Sequence, residues 1–412
     1  MNILQINTVD EKGGAAKVAM RIHRKLLTRN FNSNMIVGKK YSNEKTILSL
    51  RKNGVVSRIV RYIKNIVEEF TGYQYHFQDG INKLDRIEMY RDADVVHIHN
   101  LHGGYINFNI IEQIAKNKPV VLTLHDMWPF TGHCTHSKDC DRWIHGCGNC
   151  PILMDYPKIR IDKTKLLHKK KSEIYKSIKN NLVITAPSKW MSDKASASIL
   201  NGSKIVKISN LVDLDVFLPF PKDEIRIKYK LPLDKFIIIF TGGWAKNPNK
   251  GLSLIYSAIN NIKRKKDIFM LTIGGDRSYA IFEDGIQGYN FKFTNDEYLL
   301  AQYYSMGNIY VLSSEVENAP LVICESLACG TPVVAFSIGG VLEMINHKVN
   351  GYLAKAGSCE SLQDGIEYFM NMDITNKIDA QKKSREQAIM NFNSESIIEE
   401  YIKLYTSIVN DD

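Results

Sequence analysis

The sequence predicts an α/β protein made of two doubly wound domains, and three observations carry that prediction. Its 412 residues exceed what a single hydrophobic core usually organises. Apolar, β-rich runs alternate with helix-length segments, which indicates βαβ units in mostly parallel sheets. The pattern restarts after a polar, proline-containing stretch at Pro219–Leu233, so a second domain follows the first.

The predicted strands are apolar at nearly every position, as in a sheet covered on both faces. In the first domain they are Asn2–Asn7, Met35–Gly38, Asp94–His99, Pro119–His125, Leu182–Pro187 and Ile205–Ile208. In the second they are Phe236–Thr241, Ile268–Gly274, Asn308–Ser313 and Pro332–Phe336. We therefore place the domains at 1–212, with a cysteine-rich insertion at 130–151, and at 213–390. A terminal amphipathic helix within 391–412 is expected to pack back toward the first domain.

Composition and charge bound the class of protein. Hydrophobic residues make up 44% and charged residues 24%, as in globular proteins. No signal-like start or long apolar run occurs, and seven cysteines do not make a disulfide scaffold, so we expect a soluble protein of the reducing cytoplasm. Residues 1–200 hold 32 Lys+Arg against 18 Asp+Glu, or +14, while residues 201–412 hold 22 against 26, or −4. The basic half predicts either an anionic partner or only a well-solvated face.

Two basic segments of the first half have helical periodicity. In Arg51–Phe70 the apolar residues share one face and the cations lie elsewhere, a pattern typical of helices at a membrane interface. The same stripe would also suit a helix packed on the domain core. In Lys163–Lys179, the run Lys169–Lys171 is interpreted as a solvated cationic face.

A pair of acids, Glu317 and Glu325, follows the predicted strand that ends near Ser313. The turn at Asn318–Pro320 leads into a predicted helix, and such strand-to-helix edges are where α/β proteins bind ligands. The first amides of that helix, at 320–322, can bind phosphate oxygens. Glu325 is then placed to bind a ribose diol, and Glu317 to hold sugar hydroxyls or stabilise an oxocarbenium ion.

This stretch resembles the signature of the retaining glycosyltransferases of family four, the glycosyl transferases group one. The likeness includes both glutamates, the run from Ala328 to Val334 and the pair Gly339-Gly340. A match of this extent is more specific than two solvent-facing glutamates alone would be. It implies a GT-B fold, with two Rossmann-like domains facing a central cleft. It also implies a retaining hexosyltransferase that uses a nucleotide-diphosphate sugar.

The resemblance extends along the chain and implies roles for further residues. His125 matches the histidine that faces the reacting sugar, and Lys250 the lysine that offsets charge on the diphosphate. The arginine common after Gly251 in the family is absent, and Lys246 is a candidate substitute. The implied catalytic residues are Glu317, His125 and Lys250. The implied donor-binding residues are Gly13, Gly14, Gly242, Gly243, Lys246, Lys250, Asn318, Ala319, Pro320, Leu321, Val322 and Glu325.

Each of these positions also has a simpler interpretation. Gly13-Gly14 resembles a glycine loop that admits phosphates or acceptor, but such a pair also forms ordinary turns. A histidine at a strand end, such as His125, is often only a satisfied polar residue. Ser188–Trp190 and Asn210–Phe217 resemble family turns that support the fold rather than the chemistry.

Four cysteines, Cys134, Cys140, Cys147 and Cys150, lie within seventeen positions. The last two have the spacing of a zinc knuckle, and the first two can complete a structural zinc site. His133, His136 and His145 are substitute ligands. Packed free thiols are the alternative interpretation.

We expect a glycan or polyprenyl-diphosphate-linked acceptor and a role in surface polysaccharide or capsule assembly, with peripheral contact with an anionic membrane. Catalysis is expected to need no cofactor, because Lys250 and the helix dipole take the place of a metal. We expect no nucleic-acid partner. The alternatives are a GT-B phosphorylase or synthase, and a non-catalytic basic protein that has a zinc knuckle and binds membrane or nucleic acid.

Overall fold

The computed structural model describes residues 1–51, 54–78, 81–241, 251–275, 278–282 and 285–410. The chain divides into two compact units. The first contains Met1–Ser209 and Glu395–Asp412, and the second contains Asn210–Ser394. All but the first residue of the last helix therefore belong to the first unit.

The first unit is built on a parallel sheet in the order β3-β2-β1-β4-β5-β6-β7. Its strands are β1 (Asn2–Val9), β2 (Asn32–Lys39), β3 (Ile47–Ser49), β4 (Val95–Ile98), β5 (Val120–Thr123), β6 (Leu182–Ala186) and β7 (Lys204–Lys207). Strands β4, β5 and β6 are buried along their whole length, which is why they have no polar face in the sequence.

Helices connect these strands, as parallel strands require. They are α1 (Gly14–Thr28), α2 (Val55–Thr71), α3 (Glu88–Arg91), α4 (Ile110–Ala115), α5 (Arg142–His145), α6 (Thr164–Ile178) and α7 (Lys189–Ser196). Short 3-10 turns cover Ile81–Arg86 and Trp128–Phe130. Ser188 caps α7 by accepting the Met191 N–H at 3.1 Å, so this predicted turn supports the fold through its hydroxyl.

The second unit has a sheet in the order β10-β11-β9-β8-β12-β13-β14. Only β10 and β11 pair antiparallel among the described strand pairs of this sheet. The strands are β8 (Phe236–Thr241), β9 (Ile268–Gly275), β10 (Ser278–Ile281), β11 (Gln287–Lys292), β12 (Ile309–Leu312), β13 (Val333–Phe336) and β14 (Gly351–Ala354).

Two separate apolar clusters pack against this sheet, so the helices of the unit cover both of its faces. These helices are α8 (Lys222–Lys228), α9 (Leu252–Asn260), α10 (Glu297–Met306), α11 (Leu321–Ala328), α12 (Val341–Met344), α13 (Cys359–Met370) and α14 (Ile374–Phe392). A 3-10 turn covers Lys265–Asp267. The predicted doubly wound α/β fold is confirmed for each unit.

The last helix, α15 (Ser394–Asn410), contributes buried aromatic residues to the first unit. Tyr401 and Tyr405 are buried, and the Tyr405 hydroxyl lies 2.7 Å from His97 Nδ1 on β4. At the rim, Glu395 pairs with Lys25 at 2.8 Å and with Arg29 at 2.6 Å. The helix thus closes one face of the first sheet.

The two basic segments differ from their expected placement. Lys171 in α6 is buried and donates to the carbonyls of Trp128 at 2.6 Å and Thr131 at 3.0 Å, so the solvated-face interpretation is wrong for this lysine. In α2 the only buried residue is Glu68, so its apolar stripe does not form a core-packed face. Within the described residues, no helix combines the length and apolar character needed to cross a membrane.

Candidate active site

The carboxyl edge of the second sheet has its topological switch point between β8 and β12, where strand order reverses. Gly251, at the start of α9, packs there against Ser313, just beyond β12. The Ser313 hydroxyl donates to the Gly251 carbonyl at 2.9 Å. Gly251 has φ of 62°, and a Cβ on it would lie 2.2 Å from the Ser313 carbonyl oxygen. The close approach therefore requires glycine at this position.

The loop that ends at Gly251 carries four of the predicted site residues. Gly242, Gly243, Lys246 and Lys250 all lie outside the described residues. The packing of Gly251 on Ser313 shows only that Gly251 itself lies at the switch point. The roles of these four residues stay predictions.

Glu317 lies four residues beyond Ser313 and is half-buried. Its carbonyl accepts the Gly340 N–H at 3.4 Å, which brings the Gly339-Gly340 pair beside it. Gly339 has φ of 48°, a conformation that favours glycine. Two separated parts of the predicted signature thus meet at the same edge of the sheet.

Helix α11 begins directly after this segment, with Pro320 as its N-cap. The buried Asn318 and the Ala319 carbonyl precede it, and that carbonyl accepts from Asn210 Nδ2 at 2.8 Å. The first amides of a helix have no partner within it, and its dipole favours an anion. The predicted phosphate-binding segment Pro320–Val322 is therefore a helix start fixed by a side chain of the 210–217 turn. Because proline has no N–H, Pro320 is not a donor, and the amides of Leu321 and Val322 are the ones that can bind an anion.

Glu325 lies inside α11 with only 1% of its surface exposed. Its Oε2 accepts a hydrogen bond from the Tyr304 hydroxyl at 3.0 Å. Burial raises the pKa of Tyr304 well above its usual value, and the Glu325 charge adds to that rise. Tyr304 therefore stays a donor, and it was not predicted because nothing in the sequence of α10 distinguishes it from a core aromatic residue.

In the first unit, Gly13 and Gly14 follow β1 and start α1. Gly13 has φ of 93°, and nothing lies within 4 Å of a Cβ placed on either glycine. The turn at this helix start is therefore open, and its strand borders β4 at the switch point of the first sheet. This geometry suits approach of a ligand to the backbone.

His125 follows β5 and forms a buried relay with His99 and Gln5. The Gln5 amide meets all its neighbours when its NH₂ donates to His99 Nε2 and its oxygen accepts the His23 N–H. His99 then carries its proton on Nδ1, which lies 3.0 Å from His125 Nε2. Because His125 Nε2 accepts, the neutral ring carries its proton on Nδ1. His99 and Gln5 are functional candidates that sequence reasoning missed.

Burial keeps the His125 ring neutral. Burial lowers its pKa to about 4, and the nearby Asp126 charge only partly offsets this. Asp126 itself accepts from His102 Nε2 at 2.7 Å and from the Trp128 N–H at 2.9 Å. Burial alone would raise the Asp126 pKa, but His102 holds it below the usual value. A neutral histidine beside a carboxylate can orient hydroxyl groups without adding net charge.

The four predicted zinc ligands line one pocket of the first unit, together with His133 and Trp143. The four cysteines are free thiols. Burial raises the pKa of Cys134 to about 12 and that of Cys147 to about 11. Among the described side chains, no three His, Cys, Asp or Glu groups are already arranged to hold a metal ion.

Two family models match the chain in sequence. The model described as Glycosyltransferase Family 4 matches residues 12–216, and the model described as Glycosyl transferases group 1 matches residues 221–389. Together they cover both units, and the second match includes Glu317 and Glu325.

Relatives and solved structures cover nearly the whole chain. A protein of Escherichia coli K12 named for colanic acid biosynthesis glycosyl transfer, WcaC, is 26% identical over 99% of this chain and 100% of its own. The structure of sucrose-phosphate synthase from Thermosynechococcus elongatus matches with a TM-score of 0.71 at 16% identity, covering 100% of both chains. Anabaena HepE in complex with UDP-glucose matches with a TM-score of 0.63 at 16% identity, covering 98% of this chain and 99% of its own. These structures share the fold described above.

Proposed function

The chain belongs to the glycosyltransferases of family four, the glycosyl transferases group one, and we propose that it moves a hexose from a nucleotide-diphosphate sugar to an acceptor with retention of configuration. One observation carries this proposal. The Gly251 end of the Lys250 loop, the Glu317 segment and the start of α11 meet at the switch point of one sheet. The donor has three parts to bind, the diphosphate, the sugar and the ribose. These three segments lie side by side at the edge where α/β sheets bind ligands.

The donor is assigned to the second unit. The amides of Leu321 and Val322 bind the diphosphate, and Lys250 offsets the charge that develops on the leaving phosphate. Glu325 binds the ribose diol, and Tyr304 holds its carboxylate in place from the buried side. The HepE structure, which holds UDP-glucose, has this fold and supports a nucleotide-sugar donor.

The transfer step is assigned to front-face attack, with the leaving phosphate accepting the proton of the acceptor hydroxyl. Glu317 holds sugar hydroxyls or stabilises the oxocarbenium-like transition state. His125, neutral and oriented by His99, hydrogen-bonds the reacting sugar. Lys250 and the helix dipole take the place of a catalytic metal.

The acceptor is assigned to the basic first unit. A glycan or polyprenyl-diphosphate-linked acceptor fits its net charge of +14 over residues 1–200, from 32 basic and 18 acidic residues. The name of the E. coli relative, which refers to colanic acid, supports a role in surface polysaccharide assembly at the cytoplasmic face.

We assign peripheral contact with an anionic membrane to α2, because this helix exposes its apolar side chains and buries an acidic one. Its nine large apolar side chains are 37–75% exposed, whereas Glu68 is buried. Glu68 accepts from Phe77 N–H and Gln78 Nε2, both at 3.1 Å, so the helix is attached through its acidic face. Exposed apolar residues flanked by Arg58, Arg61 and Lys64 match the chemistry of an anionic lipid surface. The apolar residues are Val55, Val56, Ile59, Val60, Tyr62, Ile63, Ile66, Val67 and Phe70.

Vesicle binding tests this contact. The protein should sediment with phosphatidylglycerol vesicles but not with phosphatidylcholine vesicles, and Val56→Glu should reduce binding about tenfold or more, since it removes apolar burial and adds a like charge. Ile227→Glu, at a residue 62% exposed in the second unit, is the control and should bind normally. Self-association through α2 without lipid binding would contradict the proposal.

The transferase proposal is tested with a panel of radiolabelled nucleotide sugars and acceptors, followed by analysis of the anomeric configuration of the product. We expect release of a nucleoside diphosphate and retention. Glu317→Gln should lower the rate about 100-fold or more, as loss of a transition-state contact does. Glu315→Gln, two residues away and exposed, should stay near wild type. Release of a sugar phosphate, or equal rates in both variants, would overturn the proposal.

A further inference from the structure

The cysteine pocket of the first unit contains more than four nearby thiols. It has free space of about 20 Å³, close to that of one water-sized particle. Cys134, Cys140, Cys147 and Cys150 all line this space. A space of this size fits one ion.

The backbone around the pocket is shaped for bound sulfur. The Gly132 N–H donates to Cys147 Sγ at 3.2 Å, a contact that stabilises a thiolate. Between Cys147 and Cys150, Gly148 and Asn149 have φ of 132° and 47°. This left-handed turn brings the two cysteines of the Cys-x-x-Cys sequence to one side. Gly132 approaches so closely that a Cβ on it would lie 2.9 Å from Cys147 Cβ.

A buried cation lies beside the same thiols. Lys171 has 4% of its surface exposed, and its ammonium interacts electrostatically with Cys147 and Cys134. It also lies 3.5 Å from the centre of the Trp128 ring. Burial disfavours the ammonium form of Lys171, and Asp126 supplies only part of the negative charge that favours it, while four neutral thiols supply none. Four thiolates around one Zn²⁺ carry a net charge of −2 and would supply it.

We propose that Cys134, Cys140, Cys147 and Cys150 bind one structural Zn²⁺, with Lys171 as the buried counter-charge to the zinc–thiolate group. Zinc suits four sulfur ligands in tetrahedral geometry, and full sulfur ligation leaves no open position for catalysis. The four cysteines line one space, and tetrahedral ligation requires their thiols to turn toward a common centre in it. Binding exchanges four S–H protons for Zn²⁺, and the protons pass to solvent.

The ion would stabilise the segment between β5 and α6. That segment contains only the Trp128–Phe130 turn and the four-residue α5 between Asp126 and Lys163. It packs on the residues that follow β5, where His125 and Asp126 lie. The zinc proposal concerns the fold of this segment and does not depend on the proposed transferase activity.

Zinc content by mass spectrometry of the purified chain, prepared without chelators, tests the proposal. We expect one zinc per chain in the wild type and loss of at least tenfold in Cys147→Ser and Cys150→Ser. Cys359→Ser, in the second unit, is the matched control and should keep its zinc. Zinc below about one-tenth per chain, before and after incubation with ZnCl₂, would overturn the proposal, as would a disulfide detected by intact mass.

A measurement on the wild-type chain avoids the question of misfolded variants. Four cysteines should resist alkylation by N-ethylmaleimide until a chelator removes the metal, and those four should be the pocket cysteines by peptide mapping. Cobalt(II) added to the chelated protein should give thiolate-to-metal charge-transfer bands. Lys171→Met should weaken zinc binding at least tenfold, whereas Lys169→Met, at an exposed position of the same helix, should not. Equal alkylation with and without chelator, or equal affinities in the two lysine variants, would contradict the assignment.

Discussion

The contact between Gly251 and Ser313 offers a sharp test of how the second unit positions the residues proposed to bind the donor. In Gly251→Ala the new Cβ would lie 2.2 Å from the Ser313 carbonyl oxygen, where ordinary contact begins at 3.4 Å. The residue also has φ of 62°, which costs alanine about 1–2 kcal/mol. Both effects act at the start of α9, immediately after Lys250. The backbone must therefore move by about 1 Å, and a displacement of that size near reacting groups can cost about 100-fold in rate.

Gly357→Ala separates strain from steric overlap. Gly357 also has positive φ, 71°, and also lies just before a helix, but nothing lies within 4 Å of its Cβ position. Gly357→Ala should lose about 1–2 kcal/mol of unfolding free energy, measured by urea denaturation, and Gly251→Ala should lose more because of the overlap with Ser313. Only Gly251→Ala should also lower kcat/KM about 100-fold with the nucleotide-sugar donor. Equal activity in the two variants would refute the role of this close approach.

Two further predictions use buried polar groups. Tyr304→Phe removes the donor to Glu325 Oε2, so it should cost about 1–3 kcal/mol of unfolding free energy. It should also weaken nucleotide binding, measured by calorimetry. The control Tyr279→Phe, at an exposed tyrosine, should leave nucleotide affinity unchanged. Burial lowers the pKa of His97 to about 3, so the unfolded chain binds the proton first and stability is lost as pH falls from about 6.5 toward 3. This histidine contributes at most about 1.4 kcal/mol per pH unit, and urea midpoints of His97→Gln should change less with pH than those of the wild type or of the exposed-site control His145→Gln.

The strands that could be predicted are those with continuous apolar runs. β1, β5, β8 and β12 are buried because parallel strands are covered on both faces, and that burial leaves a direct sequence signal. The missed strands are at or near sheet edges and are short or polar. They are β3 (Ile47–Ser49), β10 (Ser278–Ile281), β11 (Gln287–Lys292) and β14 (Gly351–Ala354). Their pairing depends on neighbours distant in sequence, which periodicity does not report.

The same limit applies to the candidate site. Glu317 and Glu325 could be predicted because the whole signature is local in sequence. The contacts that orient the site residues are not local: Tyr304, which hydrogen-bonds Glu325, is 21 residues from it. In the first unit Gln5, which orients the His99 partner of His125, is 94 residues from His99. The exposed face of α2 was equally undetermined, since an amphipathic period is the same whether the apolar face points inward or outward. Only the burial of Glu68 distinguishes the two orientations.

The central claim is that the diphosphate of the donor binds at the start of α11, and a crystal structure with the nucleoside diphosphate released in the donor screen tests it most directly. The account predicts phosphate oxygens within hydrogen-bonding distance of the Leu321 and Val322 amides, with the ribose at Glu325. A nucleotide bound elsewhere on the chain, with these amides uninvolved, would contradict it.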